Sequence, residues 1–252
     1  MKLFVALFTT SFLCASARRQ VRVRNNQHGG NGAGNGSGNG SSAGSAAGYG
    51  MGNGGGSGMG NGGGQHNYGT GNRMGGNLFV DVTPVALSQV EIDELLYMVQ
   101  EEKMSHDVYD KFFQQYQIRI FENIRHAEQH HGDLVRQALQ LHGLTDPNIG
   151  KDLGQFQNTV IAKFYNESVT SGLTSLGAAL RAGAKIEETD INDLNDALQD
   201  TAVPYLDQMY DRLRRASENH LRAFVKTLAS IGEGPYTPTV LTTEEYNDII
   251  NY

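Results

Sequence analysis

The sequence predicts an all-α fold: an antiparallel four-helix bundle over residues 85–232, behind a disordered glycine-rich N-terminal arm. Three observations lead there. Residues 29–76 hold 23 of the 32 glycines and few large apolar side chains. From Leu87 onward, apolar residues recur at spacings of three and four, the period of a helix face. No segment reads convincingly as a strand.

The chain opens with Lys2 and an apolar run from Leu3 to Ala15, too short to span a bilayer. Ala15-Ser16-Ala17 fits a signal-peptidase site, so residues 1–17 read as an export signal. Its removal takes away Cys14, the single cysteine, and with it disulfides and thiol catalysis. Residues 18–80 form the low-complexity arm, in which GMGNGGG at 50–56 recurs at 58–64. Ordering glycine is entropically costly and nothing apolar is present to offset it, so disorder is expected.

Ser88 and Glu91 form a capping box that opens a first long helix at about 89–116. A second runs about 120–142, stopped by Gly143 and Pro147. A shorter helix is expected at about 158–171. The third long helix covers about 174–199. Pro204 starts the fourth, about 204–231, which Gly232 ends. Residues 233–252 are a C-terminal tail. Four amphipathic helices bury their stripes most simply against one another.

All 27 Asp and Glu lie from Asp81 onward, with 14 Lys and Arg, giving that part about −13. Such a charge argues against general nucleic-acid binding, which needs a basic footprint. No later stretch is apolar enough to anchor in a membrane. The basic residues of the fourth helix, Arg212, Arg214, Arg215, Arg222 and Lys226, read as ion-pair partners for the other helices.

Polar residues interrupt the stripes at matching heights. They are Glu102 on the first helix, Glu128 and His131 on the second, Glu187 and Asp190 on the third, and His220 on the fourth. Glu128/His131 and Glu187/Asp190 are i,i+3 pairs, so each pair shares a face. At about 1.5 Å per residue, all six fall within a turn or so of mid-height. Burying a lone carboxylate costs several kcal/mol, so the layer needs an explanation. Two readings fit. One is the ligand set of a dinuclear iron or manganese site. The other is a buried ion-paired layer without metal. Glu101, Glu188 and Glu218 sit beside the candidates in sequence and are assigned to solvent. His106, four residues after Glu102, fits equally a hydrogen bond to a ligand from behind or a surface position. Tyr109 reads first as core packing. His126, His130 and His142 read as exposed.

LLYMVQEEKMSHDVY at 95–109, AEQHH at 127–131, AGAKIEETDINDL at 182–194 and SENHLRAF at 217–224 resemble a ferritin-like domain family of unknown function. The resemblance extends over about 87–250 and implies a ferritin-like bundle, with no established activity. The first helix also resembles the rubrerythrin pattern, here Glu102, Ser105, His106 and Tyr109. In that pattern the fourth helix supplies a glutamate three residues before its histidine. Here Ser217 stands in that position, so one carboxylate is absent. The Gly/Asn runs resemble low-complexity parts of secreted matrix proteins, including those of mollusc shells.

These features lead to two functional expectations. One is a secreted extracellular matrix protein, with matrix components or a mineral surface as partners and a metal-binding bundle as cargo. The other is a secreted di-iron or di-manganese oxidoreductase. A homodimer is compatible with either. Asn35, Asn39 and Asn166 head Asn-x-Ser triplets, the acceptor pattern for N-glycosylation.

Overall fold

The computed structural model describes residues 78–252. The export signal at 1–17, the arm as far as residue 77, and the acceptor candidates Asn35 and Asn39 lie outside the described residues.

Among the described residues there are six helices and no strand. These are α1 (Gln89–Tyr116), α2 (Arg119–Leu141), α3 (Thr159–Gly172), α4 (Leu176–Asp200), α5 (Pro204–Ser230) and α6 (Thr243–Ile250). The expected capping box is present: Ser88 Oγ accepts from Glu91 N, while Ser88 N donates to Glu91 Oε2 at 2.8 Å. Gln117, with φ of 54°, ends α1 in the left-handed region and turns the chain into α2. Asn158 caps α3 and Ser175 caps α4. Pro204 occupies the first turn of α5, where the missing N–H costs nothing. Within the C-terminal tail, Thr242 and Glu245 form a second capping box that opens α6. Ahead of the helices, Leu78 and Phe79 pack against the core, Phe79 meeting Tyr205 edge-on at 6.1 Å.

Directions follow from contacts at the ends. At one end Thr201 Oγ1, just past α4, donates to Glu91 Oε1 at the start of α1 (2.9 Å). There too Tyr205, at the start of α5, lies 2.9 Å from His142, just past α2. At the other end Tyr116 OH donates to Gly172 O (2.7 Å), and Phe121 packs tilted against both Phe112 and Phe224. So α1 and α5 begin where α2 and α4 end. The most extensive packing is α1 on α2 and α4 on α5.

Two apolar clusters fill the space between the helices. One gathers Tyr109, Phe112, Phe121, Leu180 and Phe224; the other gathers Leu95, Met98, Val135, Leu206, Tyr210 and Leu213. On α1, α2 and α5 the polar candidates fall between the residues given to the two clusters; on α4, Glu187 and Asp190 lie between Ile186 and Ile191 of the first cluster, ahead of Leu194 of the second. No helix among the described residues is long and apolar enough to cross a membrane.

Several assignments change. Glu101 and Glu188, read as solvent-facing, are buried. Glu218 stays partly exposed and pairs with Arg214 at 2.5 Å. The ion pairs of Arg214 and Arg215 run to Asp211 and Glu218 on α5 itself, rather than to other helices. His126 and His130 are exposed as expected, but His142 is partly covered by Tyr205, the rings 5.8 Å apart.

Candidate metal centre

Each helix brings its polar residues to the gap between the clusters by simple periodicity. Glu128 and His131 lie one turn apart on α2, and His131 Nδ1 is 2.7 Å from Glu128 Oε2. From α1, Glu102 Oε2 approaches the same Nδ1 to 3.4 Å. The other oxygen of Glu128 faces His220 of α5, with Oε1 2.9 Å from Nδ1, and Glu187 Oε2 of α4 is 3.4 Å from that nitrogen. The two imidazoles stack, their centroids 5.5 Å apart.

The result is two triads that share one carboxylate. Glu102, Glu128 and His131 form the first; Glu128, Glu187 and His220 form the second, with donor atoms in each within 4.8 Å of one another. Glu102, Glu128, His131 and Glu187 are at most 2% exposed. The His220 side chain, at 13%, keeps one edge at the surface. Asp190 is buried beside them and belongs to neither triad. Ser217 Oγ hydrogen-bonds Asp190 Oδ2, leaving Oδ1 without a partner. Tyr109 is fully buried among aromatic rings, and its hydroxyl also donates to Glu187 Oε1 at 2.5 Å. His106 turns the other way: its Nδ1 is 3.0 Å from Asp107 Oδ1, a carboxylate that also holds Gly154 N. It therefore supports the 142–158 loop rather than Glu102.

The electrostatics show why such a layer is costly when bare. Burial, opposed by His131 and aided by Glu128, lifts the Glu102 carboxyl to about 7. Burial also raises Asp190 well above its ordinary value, with Glu102 and Glu187 adding to it. Glu187 is raised by burial and Glu128. Burial would raise Glu128 too, but His220 and His131 outweigh it and hold that carboxyl low. Burial disfavours charge on His220, yet Glu128 and Glu187 raise it to about 10. His131 is likewise raised well above its usual value against burial, by Glu128 and Glu102. Protons thus provide the positive charge that this cluster of carboxylates requires in the buried layer.

The donor chemistry fits a metal as well. Glu102 Oε1, Glu128 Oε1, His131 Nε2, Asp190 Oδ1 and His220 Nδ1 are buried without a hydrogen-bond partner. The 2.9 Å approach of Glu128 to His220 is therefore close without hydrogen-bond alignment. Carboxylate oxygens with imidazole nitrogens suit divalent iron, manganese or zinc. Binding a cation there would displace the protons. Asn166, the remaining glycosylation candidate, is exposed on α3, far in sequence from this set.

Sequence reading missed Glu188. It is fully buried one residue beyond Glu187 and accepts from Tyr236 OH at 2.5 Å, Thr239 N at 3.0 Å and Leu241 N at 3.2 Å. Its position in a Glu-Glu pair gave no local sign of a partner some fifty residues away.

A family described as an uncharacterized protein domain (DUF2202) matches residues 91–252. The uncharacterized protein MJ0754 of Methanocaldococcus jannaschii is 36% identical over 165 residues, covering 66% of this chain and 89% of that protein. The crystal structure of hypothetical protein MJ0754 is similar at a TM-score of 0.66 and 34% identity, over 68% of this chain and 97% of that one.

Proposed function

We propose, for a chain that belongs to the DUF2202 family, that its helical domain is a ferritin-like antiparallel four-helix bundle that holds a dinuclear metal centre. The observation that carries this reading is the sharing of Glu128, one oxygen toward His131 and the other toward His220. A carboxylate so placed would be available to a cation at either position. Glu102 and His131 complete one position; Glu187 and His220 complete the other. Ser217 in place of a glutamate leaves the His220 position with fewer carboxylates, and Asp190, held by Ser217, is the neighbouring carboxylate able to supplement them.

Iron or manganese bound there would supply one-electron chemistry. The chain itself orients the ligands, excludes bulk water through its two apolar clusters, and holds Glu187 by the Tyr109 hydroxyl.

The biological role we infer is that of a secreted extracellular matrix-type protein, with the Gly/Asn-rich arm as the matrix-facing part and the bundle as a metal-binding module. What supports this is the export-type N-terminus and the arm composition. A second reading, a secreted oxidoreductase using oxygen or peroxide, draws on the partly exposed edge of His220, which gives a small molecule a short approach.

Elemental analysis of the purified chain after loading with ferrous iron tests the metal reading. About two ions per chain are expected, reduced in His131→Ala. Less than about 0.2 ion per chain, unchanged in that variant, would defeat specific binding. Recovery from tissue only in freely soluble fluid, with no matrix-bound fraction, would count against the matrix role.

A further inference from the structure

The tail after Gly232 folds back across α4 and α5, gripped at three places. Glu188 takes the Tyr236 hydroxyl and the backbone N–H groups of Thr239 and Leu241. Arg181, two turns earlier on α4, donates to Gly234 O at 2.8 Å and Pro235 O at 3.1 Å. Arg222 of α5 donates to Ile249 O at 2.9 Å. Tyr236, Leu241 and Tyr246 are buried where the tail lies down.

These grips lie beside one half of the candidate metal centre. Glu188 follows Glu187 directly, and Arg222 is two residues from His220. Glu187 and His220 are the residues that distinguish the second triad from the first. Adjacent helical side chains point about 100° apart and share one backbone. With Glu188 held by the tail, α4 cannot rotate to withdraw Glu187 without breaking those bonds. No tail grip named above involves α1 or α2, which supply Glu102, Glu128 and His131.

We infer that Glu188 is a positioning residue: through the tail it fixes the rotation of α4, so that tail docking and cation occupancy at Glu128–Glu187–His220 are linked. The Glu102–Glu128–His131 position does not depend on the tail. This rests on the metal reading above. Linkage is reciprocal: if a docked tail favours the cation, the cation favours the docked tail to the same extent.

The experiment uses the full chain and cobalt(II). Hydrogen exchange of residues 233–252 is followed with and without the ion, in the wild type, His220→Ala and Glu102→Ala. Stepwise cobalt binding is measured in the wild type, Glu188→Gln and Glu188→Ala. Cobalt should slow exchange at Thr239 and Leu241 in the wild type and in Glu102→Ala, and not in His220→Ala. Glu188→Ala should weaken the second equivalent at least about tenfold and leave the first within about twofold. Glu188→Gln, which keeps one acceptor oxygen, should fall between. Tail exchange unaltered by cobalt in a wild type that binds two ions overturns the inference and leaves the metal reading intact. Equal weakening of both equivalents, in a Glu188→Ala chain that keeps the wild-type helical circular-dichroism signal, does the same. A wild type that binds no cobalt defeats both. Because the exchange comparison in the wild type needs no variant, misfolding of Glu188→Ala would not obscure the outcome.

Discussion

Gly183→Ala tests whether the approach of α4 to α5 beside the site depends on a missing methyl group. A Cβ at Gly183 would lie 2.7 Å from both Cε1 and Cζ of Phe224. That ring has no exposure and is confined by Tyr109 at 5.4 Å and Phe121 at 5.9 Å. Two effects oppose each other. Alanine in place of glycine within a helix stabilises by about 1 kcal/mol. Overpacking of a filled core costs about 1–3 kcal/mol. With the ring held on two sides the clash should fall in the upper part of that range, about 2–3 kcal/mol, for a net loss of about 1–2 kcal/mol. In a domain of this size that is a fall in Tm of about 3–6 °C. The assay is urea denaturation of the metal-free full chain with a parallel thermal scan. In a Phe224→Leu background the same substitution should be neutral or stabilising, a coupling of at least about 1 kcal/mol. If Gly183→Ala alone raises stability by the helix-propensity amount, the ring yields freely and the argument for a glycine-dependent approach fails. Gly183 lies one turn before Glu187, so the destabilised variant should also bind a second metal ion less tightly.

Two more outcomes follow. Burial and the carboxylates of Asp200, Glu91 and Asp196 raise Glu94 to about 8. A carboxyl raised in the folded state keeps its proton after the unfolded chain has lost it, so stability falls as pH rises from about 4.5 to about 8. Glu94→Gln should therefore match the wild type near pH 4 and exceed it by about 1–2 kcal/mol at pH 8, after allowance for partial solvent screening. Equal denaturation midpoints at both pH values would contradict this. Ser217→Ala leaves buried Asp190 without its hydroxyl partner and should cost about 1–3 kcal/mol in metal-free denaturation. No loss there would mean that Ser217 does not stabilise Asp190.

The long helices were legible in the sequence because their signals are local. The Ser88–Glu91 capping box, Pro204 and Gly232 mark ends through interactions within a turn, and apolar spacing of three and four identifies a buried face. The same periodicity picked out Glu102, Glu128, His131, Glu187 and His220, since each interrupts a stripe at a similar height. Helix α6 escaped notice because it has only eight residues and one buried side chain.

What the sequence could not decide was the rotation of each helix about its axis and the partners that rotation selects. Glu187 and Glu188 are chemically alike and adjacent; packing against α5 sends one toward His220, and the returning tail takes the other. His106 has the spacing to meet Glu102, yet the 142–158 loop draws it to Asp107. By itself the sequence determined that the folded part is helical and that its helices carry buried carboxylates and imidazoles at one level. Only the tertiary structure decided that Glu128 is shared between two histidines, because that depends on where α2 and α5 meet, and no local period records it.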